Sequence, residues 1–299
     1  MKISAVVPTY NNEDIIEECL TSLLNQSRKF DDIIVVDNAS TDKTRDIVSK
    51  FPVKTIFLER NMERCYSRNT GWKAAKGDVI AIIESDSVYN REWGEKILEC
   101  FEAEADAVID RRTVYNPKTF ISKTNDEFFR VRMDEKRYKP FSAWVYKRDV
   151  LEKLNGYDEV MVGFEDTELG DRLIKKGYKI MYQPQAIQYH KGEPTSLMDE
   201  FKRAWWFGVR THKYYKKYPK KVPYTKFALF SYLTISILIP PLFSVSLLVL
   251  YLANLLRFLY MYPTMKPIYA IAGSGISIMR FWVFFMAYLV TIIDKKRRR

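Results

Sequence analysis

Two stretches near the end of the 299-residue chain constrain the fold before anything else does. Residues 227–256 are thirty positions without a charge, and residues 267–293 are twenty-seven with one, Arg280. A helix needs about 20 apolar residues to cross a bilayer core, and helices inside soluble cores rarely run so long uncharged. Each run is therefore expected to span a membrane. Cations bound both: Lys213, Lys216, Lys217, Lys220, Lys221 and Lys226 come before the first, and Lys295-Lys296-Arg297-Arg298-Arg299 follow the second. Basic flanks mark the cytoplasmic side, and two inside ends require an even number of crossings. The simplest topology is an integral membrane protein with two spans, about 227–260 and 267–293, joined outside by Tyr262-Pro263-Thr264-Met265-Lys266, and with the rest of the chain cytoplasmic. Pro240 and Pro241 each lack an amide donor, so they kink the first span or break it. Arg280 in mid-bilayer has to face protein, water or a lipid phosphate, or else snorkel.

The net charge of +11 is unevenly placed. Residues 201–299 hold 17 Lys/Arg against one acid, whereas residues 1–200 hold 31 against 36. Positive charge confined to the flanks of apolar runs points to membrane lipids and away from nucleic acid. Residues 194–226 read as an amphipathic helix and basic linker. Ser196 with Asp199 three positions on is a helix start, and Leu197, Phe201, Ala204, Trp205, Gly208 and His212 share one stripe. Lys202, Arg203, Arg210, Lys213 and Lys217 fall on other faces. A basic, Trp-bearing helix suits the headgroup layer; packing against a soluble domain is the alternative. The three cysteines, Cys19, Cys65 and Cys100, include no C-x-x-C pair. That argues against a disulfide framework or a cysteine zinc site and fits a reducing compartment. No apolar leader with a cleavage site precedes the first strand-like run, so no secretory signal is expected.

Residues 1–193 show a different pattern. Ile3–Val7, Ile33–Val36, Val53–Leu58 and Val79–Ile83 are short continuous apolar runs, and Ala107–Ile109 is a fifth. Helical spacing separates them: Ile16, Leu20, Leu23 and Leu24 share a face, with Asn12 as the expected N-cap, and 63–75 and 166–176 are further helices. Buried strands alternating with helices predict a mostly parallel, Rossmann-like α/β sheet with helices on both faces. Ligands of such sheets bind beyond the carboxyl ends of the strands, where Thr9, Asp37 and Asp86 fall. No G-x-G-x-x-G follows the first strand and no G-x-x-x-x-G-K-[ST] occurs, which disfavours a dinucleotide oxidoreductase and a P-loop NTPase. Residues 111–140 are charged and aromatic, with Phe128, Phe129, Arg130, Arg132 and Tyr138. They suit an acceptor-side loop or a surface helix, and the sequence does not decide between them.

Six stretches together resemble the family 2 glycosyltransferases of the GT-A fold. They are Val6-Val7-Pro8-Thr9-Tyr10-Asn11-Asn12-Glu13, residues 36–44 (VDNASTDKT), Ser67-Arg68-Asn69-Thr70-Gly71, Glu84-Ser85-Asp86, Gly163-Phe164-Glu165-Asp166 and Tyr189-His190. The resemblance covers about residues 1–215. It implies an inverting transfer from a nucleotide-diphosphate sugar, UDP- or GDP-linked. Pro8, Thr9, Tyr10, Glu13 and Asp37 would then meet base and ribose, since a carboxylate accepts from ring N–H and ribose hydroxyls. Arg68 would lie near the phosphates or the sheet edge, where a planar guanidinium matches phosphate oxygens. Glu84, Ser85 and Asp86 would meet the donor, with Asp86 and His190 holding Mn2+ or Mg2+ against the leaving diphosphate; a structural His190 is the alternative. Where the family usually shows Asp-x-Asp, this chain has Glu84-Ser85-Asp86-Ser87.

Asp166, beside Glu165, resembles the family's general base; capping of the helix start is the alternative. A base is needed for a hydroxyl acceptor and hardly for a phosphate, so a hydroxyl of a lipid-linked acceptor is expected. A polyprenyl-phosphate sugar synthase is the second reading, and a non-catalytic nucleotide-sugar-binding membrane protein the third. The Gln-x-x-Arg-Trp motif of processive synthases is missing; the nearest stretch is Phe201-Lys202-Arg203-Ala204-Trp205-Trp206. Single-sugar transfer is expected.

Overall fold

The computed structural model describes residues 1–134, 144–219, 228–232, 234 and 237–297. The expectations placed on Tyr138, Lys220, Lys221, Lys226, Phe227, Arg298 and Arg299 lie outside the described residues. The chain divides into two compact units, Met1–Asn116 with Tyr138–Glu193, and Pro117–Arg137 with Pro194–Arg299. In chain order the strands are β1 (Ile3–Thr9), β2 (Asp32–Asp37), β3 (Lys54–Phe57), β4 (Val79–Ile82), β5 (Ser87–Tyr89), β6 (Ala107–Val114), β7 (Val145–Lys147) and β8 (Ile180–His190). The helices are α1 (Ile16–Leu24), α2 (Thr44–Val48), α3 (Glu63–Ala74), α4 (Trp93–Glu102), α5 (Phe120–Asp134), α6 (Arg148–Leu154), α7 (Glu165–Lys175), α8 (Leu197–Lys217), α9 (Pro240–Met261) and α10 (Pro267–Arg297).

All described strands belong to the first unit and form one sheet of order β3-β2-β1-β4-β7-β6-β8-β5. β1 pairs in parallel with β2 and β4, β2 with β3, and β6 with β8. β7 runs antiparallel between β4 and β6, and β5 antiparallel on β8. The sheet is thus parallel in its first half and mixed in its second.

The alternation of β1 explains the helices on both faces. Ile3, Ala5 and Val7 join Ile16, Leu20 and Leu23 of α1 and Ile97 and Phe101 of α4 in one continuous core. Val6 points the other way, against α3, where Gly71 lets the helix backbone lie on Val6 and Val36 with no room for a Cβ.

Two details depart from the sequence reading. Asn12 does not cap α1 with its side chain. Its carbonyl accepts from Ile15 and Ile16 N–H, while its amide reaches Ser85 Oγ at 2.6 Å across the sheet top. β6 continues past Ile109 to Val114, with an irregularity at Asp110/Arg111 where β8 slips register. The arginines that obscured the strand pattern are there because Arg112 has carboxylate partners, described below.

The second unit is helical. The undecided segment 111–140 supplies α5. α8 starts at Ser196 with a full capping box: the Ser196 hydroxyl accepts from Asp199 N–H, and the Asp199 carboxylate accepts from Ser196 N–H. Its buried face is Glu200, Ala204, Gly208, Thr211 and Tyr214, with Gly208 against Phe284 and Ala287 of α10. Leu197, Phe201 and Trp205 stay exposed, so the expected stripe splits. The reason is Arg280. Its guanidinium donates to both Glu200 oxygens at 2.5 Å and to Asn125 Oδ1 at 3.0 Å, and the Asn125 amide donates to Glu200 Oε1 at 2.8 Å. A cation on an apolar helix selects a face carrying a carboxylate. Of the readings open for Arg280, the structure gives protein contact.

The prolines break the first apolar run. Residues 228–232 and 234 are helical, 237–239 turn, and α9 begins at Pro240, where a missing N–H costs no helical hydrogen bond. The continuous helix is therefore Pro240–Met261 and not 227–260. Among the described residues two helices are long and apolar enough to cross a membrane, over Phe243–Met261 and Pro267–Ile293. Val245, Leu248, Val249, Leu252 and Leu256 of α9 lie exposed.

Candidate active site

The carboxyl ends of β1 and β4 and the start of α3 enclose a cleft lined by Pro8, Thr9, Tyr10, Asn12, Asn38, Asn61, Glu63, Arg64, Ser67, Arg68 and Ile83 to Asp86. Seven of the expected residues meet there: Pro8, Thr9, Tyr10, Arg68, Glu84, Ser85 and Asp86. The Asn12 amide bridges Thr9 Oγ1 (3.4 Å) and Ser85 Oγ (2.6 Å), tying the two strand ends together.

Asp37 and Glu13 do not line the cleft. Asp37 is 1% exposed, and its Oδ2 accepts from Arg45 Nε at 2.5 Å and from Ser40 N–H at 3.1 Å. Its Oδ1 is buried without a partner. Glu13 is exposed and accepts from Lys43 N–H, bracing the loop after β1 against the one after β2.

Asp86 stands at the end of β4 with its side chain about one third exposed, and its Oδ2 lies 3.3 Å from His190 Nε2. β5 creates this meeting, because Ser87 pairs directly with His190 of β8. Burial opposes the charge on Asp86, but His190 and Arg112 hold its carboxyl below the usual range. Gly192 seals the pair from behind: a Cβ there would lie 2.7 Å from both Asp86 Oδ2 and His190 Cε1. An oxygen and a nitrogen at that separation fit neighbouring positions on one cation with bonds of about 2.2 Å. No group of three or more His, Cys, Asp or Glu able to hold a metal occurs among the described residues. Two protein ligands suffice for Mg2+-like cations that complete their shell with water and substrate phosphate.

Glu84, the neighbour that departs from the family pattern, is tied to other side chains. Its Oε2 accepts from Arg112 Nη1 at 3.0 Å and Gln188 Nε2 at 2.6 Å, and lies 3.7 Å from His190 Nε2.

Glu165 and Asp166 open α7 from a backbone held left-handed at Gly163 (φ 87°) and Phe164 (φ 62°). Glu165 is 4% exposed, and its Oε1 accepts from Arg68 Nη1 at 2.9 Å and from Arg64 Nη1 at 3.4 Å. The Arg68 guanidinium sits between the rings of Trp144 (4.9 Å) and Tyr157 (5.1 Å). Arg68 is thus committed to Glu165 while one edge lines the cleft. The two adjacent acids are pushed in opposite directions. Burial raises Glu165, but Arg68 and Arg64 win and hold it below the usual range. Burial and the Glu165 charge push Asp166 up. Asp166 Oδ1 accepts from Thr167 N–H, so the acid supports its own helix start as well.

Sequence reasoning missed Arg112, Gln188, Gly192 and Glu193. Only register could have found them, since Arg112 pairs with Gln188 across β6 and β8, and Glu193 follows His190 by three.

The model of glycosyl transferase family 2 matches residues 4–155, half of the chain. The chain is a member of glycosyl transferase family 2. It is 28% identical over 233 residues to the probable glycosyltransferase YdaM of Bacillus subtilis, covering 69% of this chain and 53% of that protein. It is 34% identical over 143 residues to the poly(ribitol-phosphate) beta-glucosyltransferase of Bacillus spizizenii, covering 42% of this chain and 22% of that protein. The chain spans about half the length, or less, of these curated relatives. Among solved structures, the mannosyltransferase PcManGT from Pyrobaculum calidifontis in complex with GDP-Man and Mn2+ superposes with a TM-score of 0.58 at 20% identity, over 98% of this chain and 86% of that one. S. aureus TarS 1–349 in complex with UDP gives 0.54 at 24% identity, over 70% and 65%. These likenesses confirm the GT-A fold expected from the motifs: a family 2 catalytic sheet followed by apolar helices.

Proposed function

We propose that this family 2 glycosyltransferase moves one sugar, with inversion, from a UDP- or GDP-linked donor to a hydroxyl of a lipid-linked acceptor at the cytoplasmic face of a membrane. Residues 1–193 would form the catalytic part, 194–226 an interfacial helix and linker, and 227–299 the anchor. The observation that carries the reading is the Asp86 and His190 pair, 3.3 Å apart on the edge of a cleft at the strand ends.

Asp86 and His190 are the residues that would hold Mn2+ or Mg2+, which when bound offsets the negative charge growing on the departing diphosphate. Thr9, Tyr10 and Pro8 border the side of the cleft where base and ribose would lie, with Asn12 and Asn38 beside them, whereas Asp37, committed to Arg45 and Ser40, would brace that edge from outside the lining. Asp166 would take the acceptor proton as the hydroxyl oxygen attacks the anomeric carbon from the face opposite the leaving group. Its raised carboxyl suits a base, because proton transfer is most efficient when the pKa approaches the working pH. Glu165, clamped by Arg68, fixes the turn that presents Asp166. The exposed apolar face of α9 and the exposed Leu197, Phe201 and Trp205 of α8 support membrane attachment.

The test is a screen of nucleotide-sugars by nucleoside diphosphate release, using the full chain in detergent, Mn2+ and a membrane lipid extract. Asp86→Ala should cut release by about 100-fold or more, and Asp166→Asn by ~100- to 10,000-fold. Sugar transfer to bare polyprenyl phosphate at full rate in Asp166→Asn would establish the synthase reading instead. Donor binding without release in the wild type would mark a non-catalytic binder.

A further inference from the structure

Three carboxylates surround the His190 ring, and one guanidinium joins two of them. Asp86 Oδ2 and Glu84 Oε2 lie 3.3 and 3.7 Å from Nε2, and Glu193 Oε1 lies 3.5 Å from Nδ1. Glu193 is fixed: its side chain is 1% exposed, and Oε1 takes Arg112 Nε at 2.9 Å and Nη2 at 2.8 Å. The same guanidinium takes Glu84 Oε2 through Nη1 at 3.0 Å, so Arg112 fastens two carboxylates on opposite sides of one imidazole. His190 Nδ1 is buried and makes no hydrogen bond in this arrangement.

Resting on the cation reading of Asp86 and His190, we infer that Glu193, anchored by Arg112, is a positioning residue that faces the Nδ1 side of His190 and leaves Nε2 for the divalent cation shared with Asp86. A ligating histidine carries its proton on the other ring nitrogen, and a carboxylate behind that nitrogen fixes the ring and raises its basicity. Glu84 has a separate part. Gln188 Nε2 and Arg112 occupy its Oε2, so this acid serves to hold Arg112. The backbone between His190 and Glu193 couples the two halves: Lys191 N–H donates to the Asp86 carbonyl at 2.9 Å, and a Cβ on Gly192 would lie 2.7 Å from Asp86 Oδ2.

The experiment titrates Mn2+ alone into the full-length protein in detergent, reads free Mn2+ by EPR, and records nitrogen hyperfine modulation from the bound ion. Glu193→Gln should weaken Mn2+ binding about 10- to 100-fold and diminish the nitrogen signal of His190. Glu84→Gln, whose amide oxygen still accepts from Arg112 and Gln188, should keep the nitrogen signal. Asp86→Ala serves as the reference for the cation reading itself. If Asp86→Ala binds Mn2+ like the wild type, the cation reading fails. If Asp86→Ala loses the ion while Glu193→Gln keeps wild-type affinity and nitrogen coupling, only the positioning inference fails. Should Glu193→Gln not fold, Glu193→Asp keeps the charge but draws it back by a methylene. Its expected affinity lies between wild type and Asp86→Ala, and wild-type affinity in Glu193→Asp overturns the inference.

Discussion

Each unit of the molecule sets an arginine against a buried glutamate, Arg68 on Glu165 in the sheet unit and Arg280 on Glu200 in the helical one, and these two pairs are built to different ends. In the helical unit Glu200 is fully buried and both its oxygens are filled, by two Arg280 nitrogens at 2.5 Å and by the Asn125 amide at 2.8 Å. In the sheet unit Glu165 offers one oxygen to Arg68 and Arg64, while Arg68 Nε is buried without a partner and the guanidinium lies between two aromatic rings. A saturated pair, one whose carboxylate oxygens are both filled, fixes a helix interface. An unsaturated pair on a cleft wall fixes one acid and shifts its neighbour, as the opposite displacements of Glu165 and Asp166 record.

The sharpest way to break this contrast is to remove the cation of the saturated pair. Arg280→Met strands Glu200 and Asn125 in an apolar interface, and should cost about 3–5 kcal/mol. Adding Glu200→Leu should return most of that loss, because a buried pair replaced whole by apolar groups is close to neutral. Denaturant unfolding in detergent measures both; an Arg280→Met protein as stable as the wild type would show that the pair bears no packing load.

Asp110 sharpens the contrast from the other side, as a buried acid with no cation bonded to it among the described residues. It is 3% exposed and accepts from Trp93 Nε1 at 3.0 Å. Burial, reinforced by Glu84, pushes its carboxyl up from 3.8 to about 7. The folded chain therefore holds this proton where the unfolded chain has released it. Its contribution to stability is present below the unfolded value of 3.8 and is lost as pH rises toward about 7. The loss has a ceiling of about 4 kcal/mol. Asp110→Asn keeps an acceptor for Trp93 and should flatten that part of the pH–stability curve, so the difference between the two curves should grow from about pH 4 to pH 7 and then level. Parallel curves would exclude Asp110 as the source.

What was legible in the sequence follows the same division. Ile3 to Val7, Ile34 to Val36 and Val79 to Ile83 are buried on both sides of a sheet, so composition alone marks them as strands. Asp86, Asp166 and His190 stand at strand and helix ends, where short motifs are tied to local backbone. Partners fixed by long-range register left no local mark. Arg112 looks like surface charge until β6 lies beside β8, and Glu193 looks like a loop acid until Arg112 arrives. The face of α8 was misread for a similar reason. Periodicity groups Leu197, Phe201 and Trp205 with Ala204 and Gly208, but Arg280, eighty residues beyond Glu200, decides which side is covered. The break at Pro240 and Pro241 was visible as a pair of alternatives only, because a proline at N1 starts a helix as readily as it kinks one.

For the unsaturated pair the informative variant is Arg68→Lys. Lysine keeps the charge beside Glu165 but loses the planar group between Trp144 and Tyr157. If the pair acts by fixing the turn before Asp166, kcat should fall by roughly 10-fold with donor KM changed by less than about 2-fold. A rise in donor KM at unchanged kcat would instead place Arg68 against the donor phosphates. Steady-state release assays at varied donor separate the two outcomes.

The smallest expected effect lies one helical turn from the saturated pair. The Ser196 hydroxyl accepts from Asp199 N–H at 3.1 Å, and the Asp199 carboxylate accepts from Ser196 N–H at 3.0 Å, closing the first turn of α8 just before Glu200. Ser196→Ala removes one half of this box and should cost about 1 kcal/mol. If Glu200 is held mainly by Arg280 and Asn125, that loss should add to the Arg280→Met loss within about 0.5 kcal/mol in the double variant. If instead the helix start determines where Glu200 sits, the two losses will fall short of additivity by more than that. The pair would then owe its geometry to the cap, and the contrast between a self-sufficient pair and one that shapes its neighbours would have to be redrawn.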